Sequence, residues 1–421
     1  MRRAGHPIGL NFTPTQDVSD LEAATTRLAA WCRARDYAGF DPFDGLNSRV
    51  FQSTPLAHSR TARLLWTQLF KRSPLNFRTL ARVPAGRNPK GTALFALAAL
   101  ARFRRTRSDA AAREAISLLD SLISARIKGA AVGDDGATAW GYNFDWQGRA
   151  FFAPQGTPTI VPTAFATRAL IEAWREFRDE TYLDLARAAC RFIVHNLPRS
   201  IETADEICFA YSPLDRTQVF NASLLAAETL AEVAIEINDA SLCELAARAA
   251  RYVVRRQAAD GRWAYGAAVY QSWADNFHTA YLLSSLTRIR RCLDNFHRPT
   301  TDITASIERG YTFWRANFFD HDARPKYYPA QAYPVDAHSA GASLVTLSDM
   351  RDLYPEATSH ATQVARWTIT NMQDARGFFH YQIHRRYTNR IPYMRWSQSW
   401  MLYGMERLCE ETMNDERGTM N

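Results

Sequence analysis

The feature that most constrains this chain is a repeat of helices with a long, nearly fixed period. From Lys90 onward, apolar residues recur at three- and four-residue spacing. Ala164, Leu170, Ala173, Trp174 and Phe177 form one such stripe, and Leu183, Ala186, Ala189, Cys190 and Ile193 form the next. That spacing predicts helices with one buried stripe each. The expected helices are 18–35, 58–71, 90–106, 109–126, 162–178, 180–197, 217–237, 239–257, 275–292, 302–318, 336–352, 357–373 and 396–412. Links such as Arg178-Asp179-Glu180 and Asn238-Asp239-Ala240 are short enough to force antiparallel hairpins. Alternate helices start near Pro162, Phe220, Asp275, Asp336 and Trp396, at separations of 58, 55, 61 and 60 residues. A period of that size marks a repeat architecture. Twelve of these helices make six hairpins, and a thirteenth suits a closing overlap. The expectation is an all-α (α/α)6 toroid with residues 1–421 as one domain. In that domain 1–89 supply N-terminal helices with an aromatic and acidic loop, and 90–421 supply the repeating hairpins.

The links that precede the alternate helices are longer and share a pattern. Asp135-Gly136 precedes Trp140-Gly141-Tyr142, Asp260-Gly261 precedes Trp263-Ala264-Tyr265, and Asp374 with Gly377 precedes Phe379-His380-Tyr381. Glycine supplies the turn, and alternating aromatics suit a short strand or hairpin. Long links therefore gather on one face, where a rigid scaffold carries functional loops. They also hold Trp146, Phe151, Phe152, Tyr270, Trp273, Tyr327, Tyr328, Tyr333, Tyr387, Tyr393 and Trp396. Some of these rings are expected to cover a saccharide face and the others to pack the rim.

Composition narrows the partners. Met1 to Phe12 has no apolar core of the kind a secretory leader requires. The most apolar run, Ala93 to Ala101, is stopped by Arg102, Arg104 and Arg105, far short of the roughly 20 residues that span a bilayer. The expectation is a soluble, cytoplasmic protein with no transmembrane segment. Cys32, Cys190, Cys208, Cys243, Cys292 and Cys409 lie far apart without metal-ligand spacing, so they read as free core thiols in a reducing compartment. The net charge of +8 favours anionic partners such as uronic-acid glycans, phosphate groups or a membrane surface. The Arg102, Arg104, Arg105 and Arg107 cluster reads as the cationic end of a helix, with an anion site as its alternative. No nucleic-acid motif accompanies the charge. No phosphate loop and no GxSxG elbow occurs, and the sequence calls for no cofactor and no metal.

Gln257-Ala-Ala-Asp-Gly261-Arg-Trp263 and Gln373-Asp-Ala-Arg-Gly377-Phe-Phe379 follow a QxxxGx(W/F) pattern. It resembles the repeat motif of squalene-type cyclases and of six-hairpin glycosidases. The DxDD acid motif that the cyclase chemistry needs is absent. Five blocks carry a broader resemblance: Tyr37 to Asn47, Trp140 to Gln147, Trp273 to Thr279, Tyr333 to Ser339 and Ile391 to Gln398. They look like those of a bacterial family similar to the exopolysaccharide-biosynthesis protein VpsJ. That resemblance implies a six-hairpin glycosidase-like fold and a place in surface-glycan synthesis, and it transfers no catalytic residue.

Read from the residues, carboxylates recur at equivalent places in the ring. Asp145 lies in the Asn143 to Gln147 loop, Asp275 opens one helix with His278 three residues on, and Asp336 opens the next with His338 two residues on. If those helices start at one cavity mouth, the groups converge. Two carboxylates about 5 Å apart suit a retaining glycosidase, and roughly 6.5 to 9.5 Å an inverting one. A His beside a carboxylate suits proton abstraction in a lyase or epimerase. For Asp275 and Asp336 the bland alternative is helix N-capping. Candidate substrate contacts are Trp146, Gln147, Arg149, Trp273, Asn276, Tyr333, His380, Tyr381, Arg395, Trp396 and Gln398. Arg395 and Gln398 would grip a carboxylate or hydroxyl, or else join two loops. Asp41 and Asp44 form a second acidic pair, equally explained as a turn around Pro42.

Two function classes follow. One is a glycan-active hydrolase, lyase or epimerase working on a surface polysaccharide or its precursor, with an anionic or lipid-linked oligosaccharide as partner. The other is a noncatalytic toroid that binds a glycan or a partner, in which the acids only cap helices. A terpenoid-processing protein would instead need an apolar cavity with few acids.

Overall fold

A computed structural model describes residues 14–129, 132–133, 136–148 and 152–419. The calls on the first twelve residues, Asp135, Arg149 and Phe151 lie outside the described residues.

Six helices form an inner ring: α4 (Pro89–Thr106), α6 (Ile160–Phe177), α8 (Phe220–Ile237), α10 (Asn276–Asn295), α12 (Ala337–Met350) and α14 (Ser399–Thr419). Each packs on the next, and α14 closes back onto α4. Their sequences explain the position. Residues 89–101 of α4 and 220–234 of α8 are buried on every side, and a helix that is apolar all round must be interior. Where α12 meets α14, a side chain on Gly341 would strike the Trp400 backbone carbonyl carbon at 2.6 Å, so glycine permits the close approach.

The outer ring consists of α5 (Asp109–Ser124), α7 (Glu180–Arg191), α9 (Ala240–Val254), α11 (Thr301–Phe318), α13 (Ala357–Met372) and α1 (Pro14–Arg33). The first five return from the preceding inner helix, whereas α1 packs on α14 and α13. The QxxxGx(W/F) motif is the stitch between outer helices. Gln257 Nε2 donates to the Gly261 carbonyl and to the Ser306 carbonyl of α11. Its counterpart Gln373 donates to the Gly377 and Ala24 carbonyls. Gly261 and Gly377 hold φ of +91° and +101°, which suits glycine. The second copy thus fastens the last hairpin to the first helix.

The expected 58–71 helix exists as α3 (Arg60–Arg72), but it takes no part in closing the ring. With α2 (Arg49–Gln52) it forms an insert over the end where inner helices begin. The closing helix is α1, because its apolar stripe of Leu21, Ala24 and Leu28 is buried, whereas Leu65 and Leu69 of α3 are exposed.

The outer-to-inner links carry short antiparallel pairs, but beside the aromatic units and not within them, since Trp140 to Tyr142 and Trp263 to Tyr265 lie in no strand and Phe379 makes only a single bridge to Gln373. The pairs are β1 (Trp146–Gln147) with β2 (Phe152–Ala153), β3 (Arg199–Glu202) with β4 (Ile207–Phe209), and β5 (Val335–Asp336), β6 (Gln382–Ile383) and β7 (Thr388–Asn389) in one sheet. All six cysteines are buried free thiols. Among the described residues no helix is long and apolar enough to cross a membrane.

Candidate active site

At the mouth, the insert and the long links enclose a cleft of about 1160 Å³. Phe43, Leu64, Thr67, Gln68 and Lys71 line one side, and Trp146, Gln147, Tyr211, Tyr265, Tyr270, Trp273 and Tyr328 line the others. Trp273 stacks flat on Tyr265, with centroids 4.4 Å apart and planes 11° apart. Trp146 meets Tyr211 at 5.8 Å. The volume exceeds what a monosaccharide fills and suits an oligosaccharide, with flat apolar walls and polar edges.

Two inner helices deliver titratable groups to this end. Asp275 caps α10, its Oδ1 accepting the His278 backbone N–H at 2.9 Å. Its Oδ2 lies 2.8 Å from His278 Nδ1. Capping and pairing therefore coexist in one carboxylate, because the third residue of a helix folds back over its cap. The His278 ring is framed by Tyr265 at 4.7 Å, Trp273 at 5.7 Å and Phe277 at 4.1 Å. Its side chain retains 19% exposure, while the Asp275 side chain has none. The dyad is thus rigid on the carboxylate side and open on the imidazole side.

Asp336 caps α12 by accepting from the His338 and Ser339 backbones, and also accepts from Gln382 Nε2 at 2.6 Å and Trp396 Nε1. Burial nevertheless raises its carboxyl to about 6, since desolvation outweighs these bonds. Asp275 and Asp336 both act electrostatically on Lys71, Tyr327 and Tyr328. Lys71 stands over the Phe43 ring at 4.7 Å. Burial lowers its ammonium pKa, and the Asp336 charge opposes that shift.

His338 is fully buried, and burial keeps its imidazole neutral, well below the usual range. Its Nε2 meets the Tyr281 hydroxyl at 2.5 Å, and that hydroxyl accepts from Lys90 Nζ at 3.2 Å. Lys90 sits among the Phe165, Tyr281 and Trp400 rings at 4.7, 5.1 and 5.2 Å. Burial pushes this ammonium far down as well. His338 Nδ1 has no hydrogen-bond partner.

Several residues expected in the site, the catalytic candidate Asp145 among them, are occupied elsewhere. Asp145 accepts the Gln155 backbone N–H at 2.7 Å and a long bond from Gln52, so it ties a loop to the insert. Asn276 is fully buried. Its amide donates to the Phe318 and Lys326 carbonyls and accepts from Trp314 and Ser343. Gln398 makes two bonds with the Phe379 backbone. Arg395 grips Asp41 with both arms, at 2.5 and 2.8 Å, which is the loop-joining alternative for this residue. Asp44 pairs with Arg78 at 2.6 Å, and burial raises its carboxyl to about 7. His380 sits against Asp374 at 3.3 Å on the outer turn, and its neighbour His384 stacks on Tyr387. Tyr381 packs edge-on against Tyr393, Trp396 against Asp336 and His338, and Tyr333 under Arg324. Of the expected contacts, Trp146, Gln147 and Trp273 line the cleft. Gln147 also accepts from Arg63 Nε at 2.9 Å.

Lys71, Lys90, Tyr281 and Tyr211 were not singled out as site residues from the sequence. One signal was available for two of them. The chain has four lysines among 51 basic residues, at positions 71, 90, 128 and 326, and the first two lie at this end of the ring.

No family model matches the sequence, and no curated protein matches it. Solved structures do match in fold. A D-mannose isomerase aligns with TM-score 0.63 and 10% identity, over 96% of this chain and 100% of the other. The cellobiose 2-epimerase of Bacillus thermoamylovorans B4167 aligns with TM-score 0.58 and 14% identity, over 79% and 90%. An unsaturated glucuronyl hydrolase specific for heparin aligns with TM-score 0.59 and 11% identity, over 95% and 99%. The chain has the (α/α)6 toroid fold of the six-hairpin, glycosidase-like enzymes.

Proposed function

We propose that this protein is a carbohydrate-active enzyme in which His278 moves a proton on a saccharide held across the aromatic cleft. The observation that carries the reading is the Asp275–His278 pair, whose imidazole packs against Tyr265 and Trp273 of the cleft wall. A carboxylate on Nδ1 fixes the tautomer, leaves Nε2 as the basic atom and stabilises the imidazolium that forms.

The spending of lone pairs favours one reaction class. Cleavage by two carboxylates needs one acid and one base free to flank the glycosidic bond. Both oxygens of Asp275 and of Asp336 already accept hydrogen bonds from the protein. Proton abstraction beside a sugar carbonyl or carboxylate needs only the imidazole. His278 would take the proton, and the carbon's electron pair would move onto the neighbouring oxygen as an enolate. Return of a proton to the opposite face gives epimerisation, and return to the adjacent carbon gives isomerisation. Expulsion of a β-substituent gives elimination. His338, neutral and hydrogen-bonded to Tyr281, is the second candidate for proton delivery. Names among the fold neighbours, a 2-epimerase and an isomerase, support sugar chemistry of this kind.

We also place the protein in surface-polysaccharide synthesis, on the five-block resemblance, and in the cytoplasm, on its free thiols. We take the closed ring as one domain. The noncatalytic reading draws on Asn276, Gln398 and Arg395, whose polar groups all serve the fold. Incubation with reducing and uronate-containing oligosaccharides decides between the two. The proposal expects a changed sugar with wild-type protein and none with His278→Ala, which still binds. Wild-type binding without turnover would establish the binding reading, and bond cleavage that survives His278→Ala would overturn the proposed mechanism.

A further inference from the structure

The insert is unlike the rest of the molecule in charge and in what it exposes. Residues 45–88 contain eight basic residues and no Asp or Glu. The whole chain has 51 basic and 43 acidic residues, so outside the insert it has 43 of each, and the insert accounts for the entire net charge of +8. Arg49, Arg72 and Arg82 of the insert are solvent-exposed.

Exposed apolar side chains concentrate in the same place. Among the described residues thirteen large hydrophobic side chains are exposed, and seven of them lie between Val50 and Leu80. Leu65 and Leu69, one turn apart on α3, are 67% and 51% exposed, and Leu80 is 80% exposed. Five more, including Val269 at 92% and Tyr387, sit on the other links at the mouth, and Ile116 alone lies elsewhere. The β6–β7 turn is drawn to the insert by a bond from Asn389 Nδ2 to the Ser73 carbonyl. It adds exposed Arg385, Arg386 and Arg390. The opposite side of α3, with Leu64, Thr67, Gln68 and Lys71, faces the cleft. One short helix therefore walls the cleft with one side and offers leucines between arginines to solvent with the other.

We infer that the mouth of the toroid docks on an anionic lipid bilayer, with the insert as its platform. Leucine and phenylalanine side chains would enter the interface, and the surrounding arginines would meet anionic headgroups, the pattern of a protein that lies on a membrane without crossing it. Charge selects this occupant over a second copy of the chain, because a cationic rim around an apolar patch repels its own like. The cleft would then open at the headgroup level, within reach of a saccharide carried on a lipid. The docking itself stands independently of the chemistry proposed for His278.

The test is co-sedimentation of the full chain with vesicles. Binding is expected with phosphatidylcholine vesicles that contain phosphatidylglycerol, weak binding with phosphatidylcholine alone, and release by added salt. Leu65→Ser/Leu69→Ser/Leu80→Ser should lower binding at least about tenfold. Arg82→Gln and Arg386→Gln should each lower it about fivefold. These side chains are exposed, and an unchanged thermal unfolding profile verifies that the variants fold. Absence of binding to anionic vesicles, or binding untouched by these changes, would overturn the inference. So would a wild-type dimer in sedimentation velocity that the triple variant dissolves, since the patch would then be a contact between copies.

Discussion

The two ends of the ring use charge in opposite ways. At the end away from the mouth, Arg288 pairs with Asp349 at 2.8 Å, Arg104 with Glu410 at 2.6 Å and Glu172 at 3.0 Å, and Arg175 with Glu232 and Glu236 at 2.8 and 2.7 Å. The basic cluster at the end of α4 belongs to this network, with Arg102 and Arg105 on Glu114 and Glu406 and Arg107 on Glu176. Arg288 and Arg407 together hold the Asp349 carboxyl far below the usual range against its burial. At the mouth, Asp336 and Asp44 are raised, Lys71 and Lys90 are lowered, and His278 keeps an open side. At one end matched arginines hold Asp349 and Glu172 in the charged state, while burial raises Glu406 and Glu411 beside them. At the other end burial raises Asp336 to about 6 and Asp44 to about 7, where protonation changes near neutral pH, and this is where chemistry can occur.

The most damaging way to test the contrast is to unbalance the locked end. Arg288→Met removes a cation that Asp349 and Glu228 share, leaving Arg407 on Asp349 and Arg168 on Glu228. It should cost roughly 2–3 kcal/mol in urea unfolding, the loss of charge-assisted hydrogen bonds, without a specific effect on turnover by the folded fraction. At the mouth the pattern should reverse. His278→Ala should lower kcat by about 10²- to 10⁴-fold while its unfolding midpoint stays near that of the wild type.

Asp349 and Asp336, one from each end, should also respond to acid with opposite sign. Asp349 has a depressed pKa, so its contribution is present above the unfolded value of 3.8 and is lost as pH falls through and below it. Asp336 has a raised pKa, so the folded state binds the extra proton between 3.8 and about 6, and stability falls as pH rises across that window. The amount is on the order of 3 kcal/mol. Unfolding curves at a series of pH values should show Asp336→Asn flattening the window from 4 to 6, whatever it does to absolute stability. The smallest effect is expected at the cleft wall. Trp273→Ala should raise KM about five- to tenfold by removing a stacked ring, with kcat and stability nearly unchanged.

The helices, the hairpins and the face that carries long loops are all legible in the sequence, because apolar spacing and glycine turns are local signals. Ring closure by α1 was not, since α1 and α3 are both plausible helices, and only burial of Leu21 and Leu28 against the exposure of Leu65 and Leu69 separates them. The candidate site was legible in part. Asp275 and His278 announce themselves by spacing at a helix start. Asn276, Arg395 and Gln398 looked equally suited, yet a sequence shows which donors and acceptors exist and not where they are spent. Lys90 was hidden at a helix start between Pro89 and Gly91, where a lysine reads as solvated, yet its charge is housed by three rings from other helices.

Exchange of solvent deuterium into a sugar tests the central claim most directly. Reducing and uronate-containing oligosaccharides incubated in D2O should gain deuterium, by NMR, at the carbon beside the carbonyl or carboxylate, and His278→Ala should abolish the gain. Exchange that persists at the wild-type rate without the imidazole, or sugar conversion with no deuterium uptake at that carbon, would contradict the account.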